Sequence, residues 1–480
     1  MGRNERGVTR QEDDFSAWYN EVVAKAGLVD RGPAKGTMVI RPYGYRIWEL
    51  LQAELDGMIK ELGHENAYFP MLIPESYFNR EAEHVEGFNP ELAVVTHAGG
   101  KELAEPLVIR PTSETVIGDM MAKWITSHRD LPLRLNQWAN VVRWELRPRM
   151  LLRTTEFLWQ EAHSAHAEKS DALRETLLAL DIYTTLARDM AAIPVVPGEK
   201  TAGERFAGAL NTYTIEAMMR DGKALQSGTT HYLGDNFARA FDIRYTTAEE
   251  QQAFVHTTSF GLSTRMVGAI VMVHGDDKGL VLPPRVAPYQ VVIVPITSGN
   301  KASEVEHAAA DLARRLQAAG VRTHVDARPQ LTPGWKYNDW ELRGVPIRLE
   351  LGPRDLEAGT TVMVRRIGEK AKQPISIAAA PTEIPGVLDE FQRDMLKRAT
   401  QFRDDHTTLV DNWDAFAMTV TTGWALALHC GNPQCEDDIK AETAATPRCI
   451  PQQGAPATGR CIRCDAPSAY DKRVIFARAY

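Results

Sequence analysis

A chain of 480 residues is long enough for about three domains at roughly 100–200 residues each. With 44% hydrophobic and 25% charged residues it has a globular composition, which excludes a disordered or fibrous polymer. Its 55 basic and 63 acidic side chains leave a net charge of −8, so a polyanion would be held by local basic patches rather than by an overall positive field. No run of about 18 apolar residues could span a bilayer, and the N-terminal MGRNERGVTRQEDD lacks the apolar core of a secretion signal. The expectation is a cytoplasmic protein with no membrane partner.

Residues 43–62 place Ile47, Leu50, Leu51, Met58, Ile59 and Leu62 at helical spacing, with Gly63 closing the helix. Strand patterns follow at 66–73, 105–110, 134–145, 153–160, 210–216 and 225–233, with one long helical stretch at 168–191. Many strands broken by few helices predict an α+β unit with an antiparallel sheet. Gly261-Leu262-Ser263-Thr264-Arg265 then leads into MVGAIVMV, the pattern of a buried helix. The proline-rich run at 279–290 reads as a linker. Beyond it, strand 289–296, helix 301–319, strand 321–326, helix 335–343 and strands 345–351 and 360–366 predict a mainly parallel α/β domain, ending at a second break near 377–386.

All five cysteines fall between 430 and 464. Cys430 and Cys435, then Cys461 and Cys464, form two close pairs, a spacing suited to four thiolates around a structural Zn²⁺. Unliganded thiols or disulfides are the lesser alternative; His429 and Cys449 are the substitutes if one assigned ligand is wrong.

Four polar patterns carry possible chemistry. On a strand, period two puts Arg143 and Glu145 on one face, a guanidinium fork for phosphate beside a carboxylate able to accept from an amine, although such a pair is more often a salt-bridged sheet surface. Arg265 falls in a helix's first turn, where the dipole disfavours a cation but attracts phosphate. Arg110-Pro111-Thr112-Ser113-Glu114 delivers a hydroxyl and a carboxylate at a helix start, where plain capping is an equal explanation. In Gln226-Ser227-Gly228-Thr229-Thr230-His231, alternation exposes either Gln226, Gly228 and Thr230 or Ser227, Thr229 and His231 on one wall, and a solvated edge strand is the bland reading.

Taken together, Phe69-Pro70, Val142-Arg143-Trp144-Glu145 and Gly261-Leu262-Ser263-Thr264-Arg265 resemble, in order, the three motifs of class II aminoacyl-tRNA synthetases, and Arg110-Pro111-Thr112-Ser113-Glu114 is similar to the amino-acid-binding loop of the subclass with prolyl, threonyl, seryl, histidyl and glycyl members. HGDDKGLVLPPRVAP at 274–288, TPGWKYNDWELRGVPIRLELGPRDLEAG at 332–359, CGNPQCEDDIK at 430–440, the closing CIRC and the terminal Tyr480 narrow the resemblance to prolyl-tRNA synthetases of archaeal and eukaryotic-like architecture, from about residue 14 to the last.

The resemblance implies an antiparallel catalytic domain at 1–285, an α/β anticodon-binding domain at 286–384 and a small α+β zinc-binding domain at 385–480. It implies formation of prolyl-adenylate from L-proline and ATP with Mg²⁺, followed by prolyl transfer to tRNA(Pro). Arg143 and Arg265 would act on the reacting phosphates. Proline would meet Thr112, Glu114, Arg143 and His231, and ATP would meet Arg143, Glu145, Gln226, Thr229, Ser263 and Arg265. Glu341, Arg348, Arg354 and Asp355 would read the anticodon, Cys430, Cys435, Cys461 and Cys464 would hold Zn²⁺, and motif one would form a homodimer interface. About 115 residues, 146–260, separate motifs two and three, which leaves little space for an editing insertion. The alternatives are a threonyl or glycyl relative, the former disfavoured because residues 1–429 hold no Cys, or a catalytically dead tRNA-binding paralogue.

Overall fold

The computed structural model describes residues 7–78, 92–297, 301–368 and 372–480. Its centre is a run of strands in the spatial order Val196–Glu199, Asn211–Met218, Ala224–Gly234, His256–Ser263, Glu156–His166, Leu133–Val142 and Glu65–Asn66, antiparallel except for the last pair. Alternation along these strands sorts their side chains. Ile215, Ala217, Leu225, Ala162, Phe260 and Leu262 pack in one core with helices Pro42–Glu61, Lys169–Asp189 and Arg265–His274. On the opposite face helices Glu114–Trp124 and Asn236–Phe241 cover one end of the sheet, packing with Leu135, Ala165 and Leu233, and the rest of that face forms a cleft.

Helix Pro42–Glu61 begins with a proline whose missing N–H costs nothing there, and Gly63 follows its C-cap Leu62 at φ +86°, a conformation that favours glycine. The strand expected at 66–73 is two short ones, Glu65–Asn66 and Leu72–Pro74, with Phe69 and Pro70 between them. The strand expected at 134–145 stops at Val142, and the one expected at 153–160 runs instead over Glu156–His166.

The second unit has the strand order Thr323–Val325, Val291–Pro295, Ile347–Leu351, Thr360–Arg365, Lys372–Ser376. Its first three strands are parallel and its last two antiparallel, so the sheet is mixed rather than mainly parallel. The short link from Leu351 to Thr360, holding only helix Pro353–Glu357, is below the dozen or so residues a parallel crossover needs.

Helix Ala380–Asp405 runs unbroken across the 384/385 boundary expected from sequence. Ile384 and Leu388 join the second unit's core, while Phe391 and Met395 pack with Ala192 and Val281. The C-terminal strands Thr407–Leu409, Trp424–Ala427, Val474–Ala477 and Thr446–Pro451 extend the catalytic sheet, because Ile450 pairs with Glu199 and Pro451 with Gly198. A Cβ on Gly198 would lie 2.5 Å from the Ile450 carbonyl oxygen; glycine is what lets the two strands meet.

Candidate active site

The exposed part of that face of the catalytic sheet carries a cleft whose lining includes Thr112, Glu114, Arg143, Gln226, Thr229, His231, Ser263 and Arg265. Arg143 lies just past the end of strand Leu133–Val142, where its Nε donates to the Pro111 carbonyl at 3.0 Å and its guanidinium lies 5.5 Å and 5.6 Å from the ring centres of Phe157 and Trp159. Arg265, at the start of helix Arg265–His274, donates from Nε to the Leu152 carbonyl at 2.9 Å and from Nη1 to the Gln226 carbonyl at 3.1 Å. Burial, with Arg143 and Arg153 nearby, pushes its pKa down to about 10, so it stays cationic at neutral pH. Two fixed guanidinium groups in one cleft form a site for a polyanion.

At the other end Thr112 donates its hydroxyl to the buried Glu114 carboxylate. His231 stacks on Phe206 with ring centres 4.5 Å apart, and its Nδ1 is 3.1 Å from Thr212 Oγ1. Burial pulls its pKa down to about 4, so it is a neutral wall. Burial likewise opposes the charged form of His163, but the hydrogen bond to Glu161 and the charge of Glu114 carry its pKa above the usual value. Apolar rings and buried carboxylates thus surround a pocket suited to a small cation with an apolar body.

Three local expectations change. Glu145 lies beyond the strand and is not among the cleft-lining residues; its carboxylate accepts from Arg153 Nε at 2.9 Å and from the Arg147 N–H at 3.3 Å. Period two could not bring Arg143 and Glu145 together because the strand ends at Val142. Ser113, at the N-cap of helix Glu114–Trp124, makes no side-chain capping bond and donates to Glu161 instead. Strand Ala224–Gly234 is central, not an edge, and neither alternation applies along it. Ile215 pairs with Gly228 but Glu216 with Gln226, so Ser227 is an extra, bulged residue, and Gln226, Thr229 and His231 share a wall opposite Glu216, Thr214 and Thr212.

Sequence reasoning missed Trp159, Glu161, His163, Arg205, Phe206 and Thr212, which also line the cleft. The alternation in Trp159-Gln160-Glu161-Ala162-His163, ionisable groups at period two inside a strand, was the available signal. Gln137 joins this network to motif one: its Nε2 donates to Glu161 Oε1 at 2.8 Å and its Oε1 accepts from the Phe69 N–H at 2.6 Å.

In the C-terminal unit, Cys430 and Cys464 lie 3.5 Å apart at sulfur and Cys435 and Cys461 3.7 Å, with His429 Nδ1 3.6 Å from Cys461. Donor atoms of His429, Cys430, Cys435 and Cys461 all fall within 4.8 Å of one another; Cys464 is the exposed fifth member. Cys449 packs elsewhere, with Met218 and Trp424.

Of the expected anticodon contacts, Glu341 and Arg348 line one small hollow with Trp340 and Arg366. Glu341 accepts from Lys278, and Arg348 lies 4.3 Å from the Tyr337 ring centre. Arg354 and Asp355 lie on helix Pro353–Glu357, where Asp355 accepts from the Gly352 N–H at 2.8 Å.

Residues 96–274 match the tRNA synthetase class II core domain (G, H, P, S and T), 290–386 the anticodon-binding domain, and 413–480 the prolyl-tRNA synthetase C-terminal domain. A proline–tRNA ligase of Mycobacterium leprae is 92% identical over the whole of both chains. The chain belongs to the prolyl-tRNA synthetase family. A proline–tRNA ligase of Deinococcus radiodurans is 51% identical over 99% of this chain and 96% of its own. The crystal structure of prolyl-tRNA synthetase from Cryptosporidium parvum, complexed with halofuginone and AMPPNP, superposes with a TM-score of 0.94 at 38% identity, covering 100% of this chain and 99% of that one. The chain is thus an enzyme, a class II synthetase with proline–tRNA ligase activity.

Proposed function

We infer that the cleft joins ATP to L-proline as prolyl-adenylate with release of diphosphate, and that the prolyl group then passes to the terminal ribose of tRNA(Pro). The observation that carries this assignment of roles is the presence, in one cleft, of two guanidinium groups, Arg265 at one end and Arg143 further in, and of a buried carboxylate among aromatic rings at the other end. In the first step a proline carboxylate oxygen attacks the α-phosphorus and the bond to the β-phosphate oxygen breaks. Arg143, between the two ends, holds the α-phosphate and the attacking carboxylate, where negative charge gathers. Arg265 grips the γ-phosphate, and Gln226, Thr229 and Ser263 flank the nucleotide. Thr112 and Glu114 hold the ring's secondary ammonium, with His231 as a wall. Mg²⁺ carried in with ATP would supply charge neutralisation on the leaving diphosphate. No side chain is asked to act as a nucleophile; the residues orient both reactants and stabilise charge.

Glu145 is proposed to take the adenine amino group from the loop between Val142 and Glu156, its carboxylate leaving Arg153 to do so. Glu341, Arg348, Arg354 and Asp355 are proposed to read the anticodon by polar contacts to unpaired bases. Tyr68, Met71, Leu72 and Trp124, large apolar side chains exposed around motif one, support a homodimer across that face. No helix among the described residues is long and apolar enough to cross a membrane, and we assign the enzyme to the cytoplasm. The expected result of amino-acid-dependent ATP–pyrophosphate exchange is strong exchange with proline and weak exchange with alanine, whose missing ring carbons cost only about 1–3 kcal/mol per group. Stronger exchange with threonine or glycine would sink the proline pocket drawn here.

The thiol cluster fits zinc. Tetrahedral Zn–S bonds of about 2.3 Å imply sulfurs about 3.8 Å apart, close to the 3.5 and 3.7 Å seen, and thiolates with imidazole are the soft donor set zinc prefers. We propose Cys430, Cys435, Cys461 and Cys464 as ligands of a closed structural site, with His429 turned to Glu436 at 3.3 Å. Metal analysis should find about one zinc per chain, lost in Cys464→Ser and kept in His429→Gln; the reverse pattern would replace Cys464 by His429 in the site.

A further inference from the structure

The nucleotide end of the cleft is backed by a charge cluster that the catalytic sheet does not complete by itself. Glu216 is fully buried on strand Asn211–Met218, directly opposite Gln226, whose carbonyl accepts from Arg265. Lys200 Nζ donates to Glu216 Oε1 at 3.0 Å, and so does the Thr214 hydroxyl at 3.0 Å. The remaining partner comes from more than 200 residues away. Arg448, on the C-terminal strand Thr446–Pro451, donates to Glu216 Oε2 from Nε at 3.2 Å and from Nη2 at 3.1 Å, and to Oε1 from Nη2 at 3.3 Å. Its side chain is 8% exposed, that of Lys200 1% and that of Glu216 none. A third donor, Arg448 Nη1, goes to Thr446 Oγ1 at 2.9 Å, which fixes the plane of the fork.

Two buried cations on one carboxylate leave a net positive charge beside Arg265. Burial favours the neutral form of Glu216, yet Arg448 and Lys200 hold its pKa below the usual carboxylate value. The field of Glu216 attracts Arg265 and that of Arg448 repels it. Arg448 also feels Glu204, a cleft-lining residue. In a poorly screened interior these interactions are strong; without Arg448, Glu216 keeps Lys200 and its pull on Arg265 is no longer opposed.

We propose that Arg448 is a positioning residue for the nucleotide: by saturating Glu216 it leaves Arg265 to the ATP polyphosphate, so the ATP half of the cleft is complete only when the C-terminal domain is docked. This rests on the reading of Arg265 as the γ-phosphate ligand. Arg448 itself touches no substrate.

The test is steady-state ATP–pyrophosphate exchange on the full chain, with the thermal midpoint measured alongside. Arg448→Met is expected to raise KM for ATP by about tenfold or more, as truncating one partner of a buried charge pair does, with KM for proline changed by less than about twofold. Arg448→Lys, which keeps the charge but not the fork, should fall between. Glu216→Gln with Arg448→Met removes both charges and should recover most of the lost ATP affinity, which a merely structural docking role would not produce. An unchanged KM for ATP in folded Arg448→Met, or a double variant no better than the single one, overturns the inference. If Arg448→Met does not fold, Arg448→Lys decides: an unchanged KM for ATP overturns it and a selective rise supports it. Arg265→Gln separates the two levels, since an unaffected KM for ATP there would remove the γ-phosphate reading itself.

Discussion

Arg143→Ala is expected to lower proline-dependent ATP–pyrophosphate exchange by about 10²–10³-fold, the range for removing one preorganised donor aimed at developing charge, about 2.7–4 kcal/mol. The loss should lie mainly in kcat, because the guanidinium sits between the two reactants and its largest contribution comes when the carboxylate oxygen and the α-phosphate share charge in the transition state. The fold should survive. Its Nε donates to the Pro111 carbonyl and its plane rests against Phe157 and Trp159, so truncation opens space in an already open cleft. Arg143→Lys should recover little, since a point charge cannot bridge two anions as a planar fork does. A loss confined to KM for ATP, with kcat intact, would reassign Arg143 to ground-state nucleotide binding.

The chemistry of this cleft was more legible in the sequence than its geometry. Arg143, Arg265, Thr112, Glu114, Gln226, Thr229, Ser263 and His231 all line one cleft, although no periodicity linked them; only their resemblance to an ordered motif set did. Where periodicity was used alone it failed at irregular points. The strand carrying Arg143 ends one residue before it, and the bulge at Ser227 shifts alternation by one, so that Gln226 and His231, which belong to opposite faces by counting, share a wall. A bulge has no reliable residue signature, and a strand end is set by what the next strand can pair with.

Long-range features were invisible for another reason. Nothing near Arg448 announces Glu216, because their contact depends on two strands meeting at Gly198 and Ile450, some 250 residues apart. The sheet of the second unit was misread as mainly parallel because strand order cannot be counted from strand and helix patterns; the length of the link at 352–359 held the clue. By contrast the cysteine cluster was legible because its spacing is local, with only the competition between His429 and Cys464 left to three dimensions.

Glu114→Gln is expected to reduce kcat/KM for proline by about 2–5 kcal/mol, roughly 30- to several-thousand-fold, the cost of breaking a buried charge pair, with KM for ATP nearly unchanged. The competing reading is that Glu114 serves helix Glu114–Trp124, whose first turn it opens. A carboxylate there is worth only about 0.3–1 kcal/mol to the helix, so a structural role would appear as a small drop in thermal midpoint and little change in substrate preference. Tetrahydrofuran-2-carboxylate, which keeps the ring and carboxylate of proline but replaces its ammonium by an ether oxygen, separates the two. If Glu114 pairs with the ammonium, this inhibitor should bind wild type and Glu114→Gln within about a factor of three, while proline binding differs by the full amount, a coupling that measures the pair directly. Equal losses for proline and for the ether would show that the substitution had deformed the pocket, and the carboxylate would lose its place as the amine's partner. His231 and Phe206, stacked 4.5 Å apart at the same end, would then be left to select the ring by shape alone, and discrimination against acyclic amino acids should fall with it.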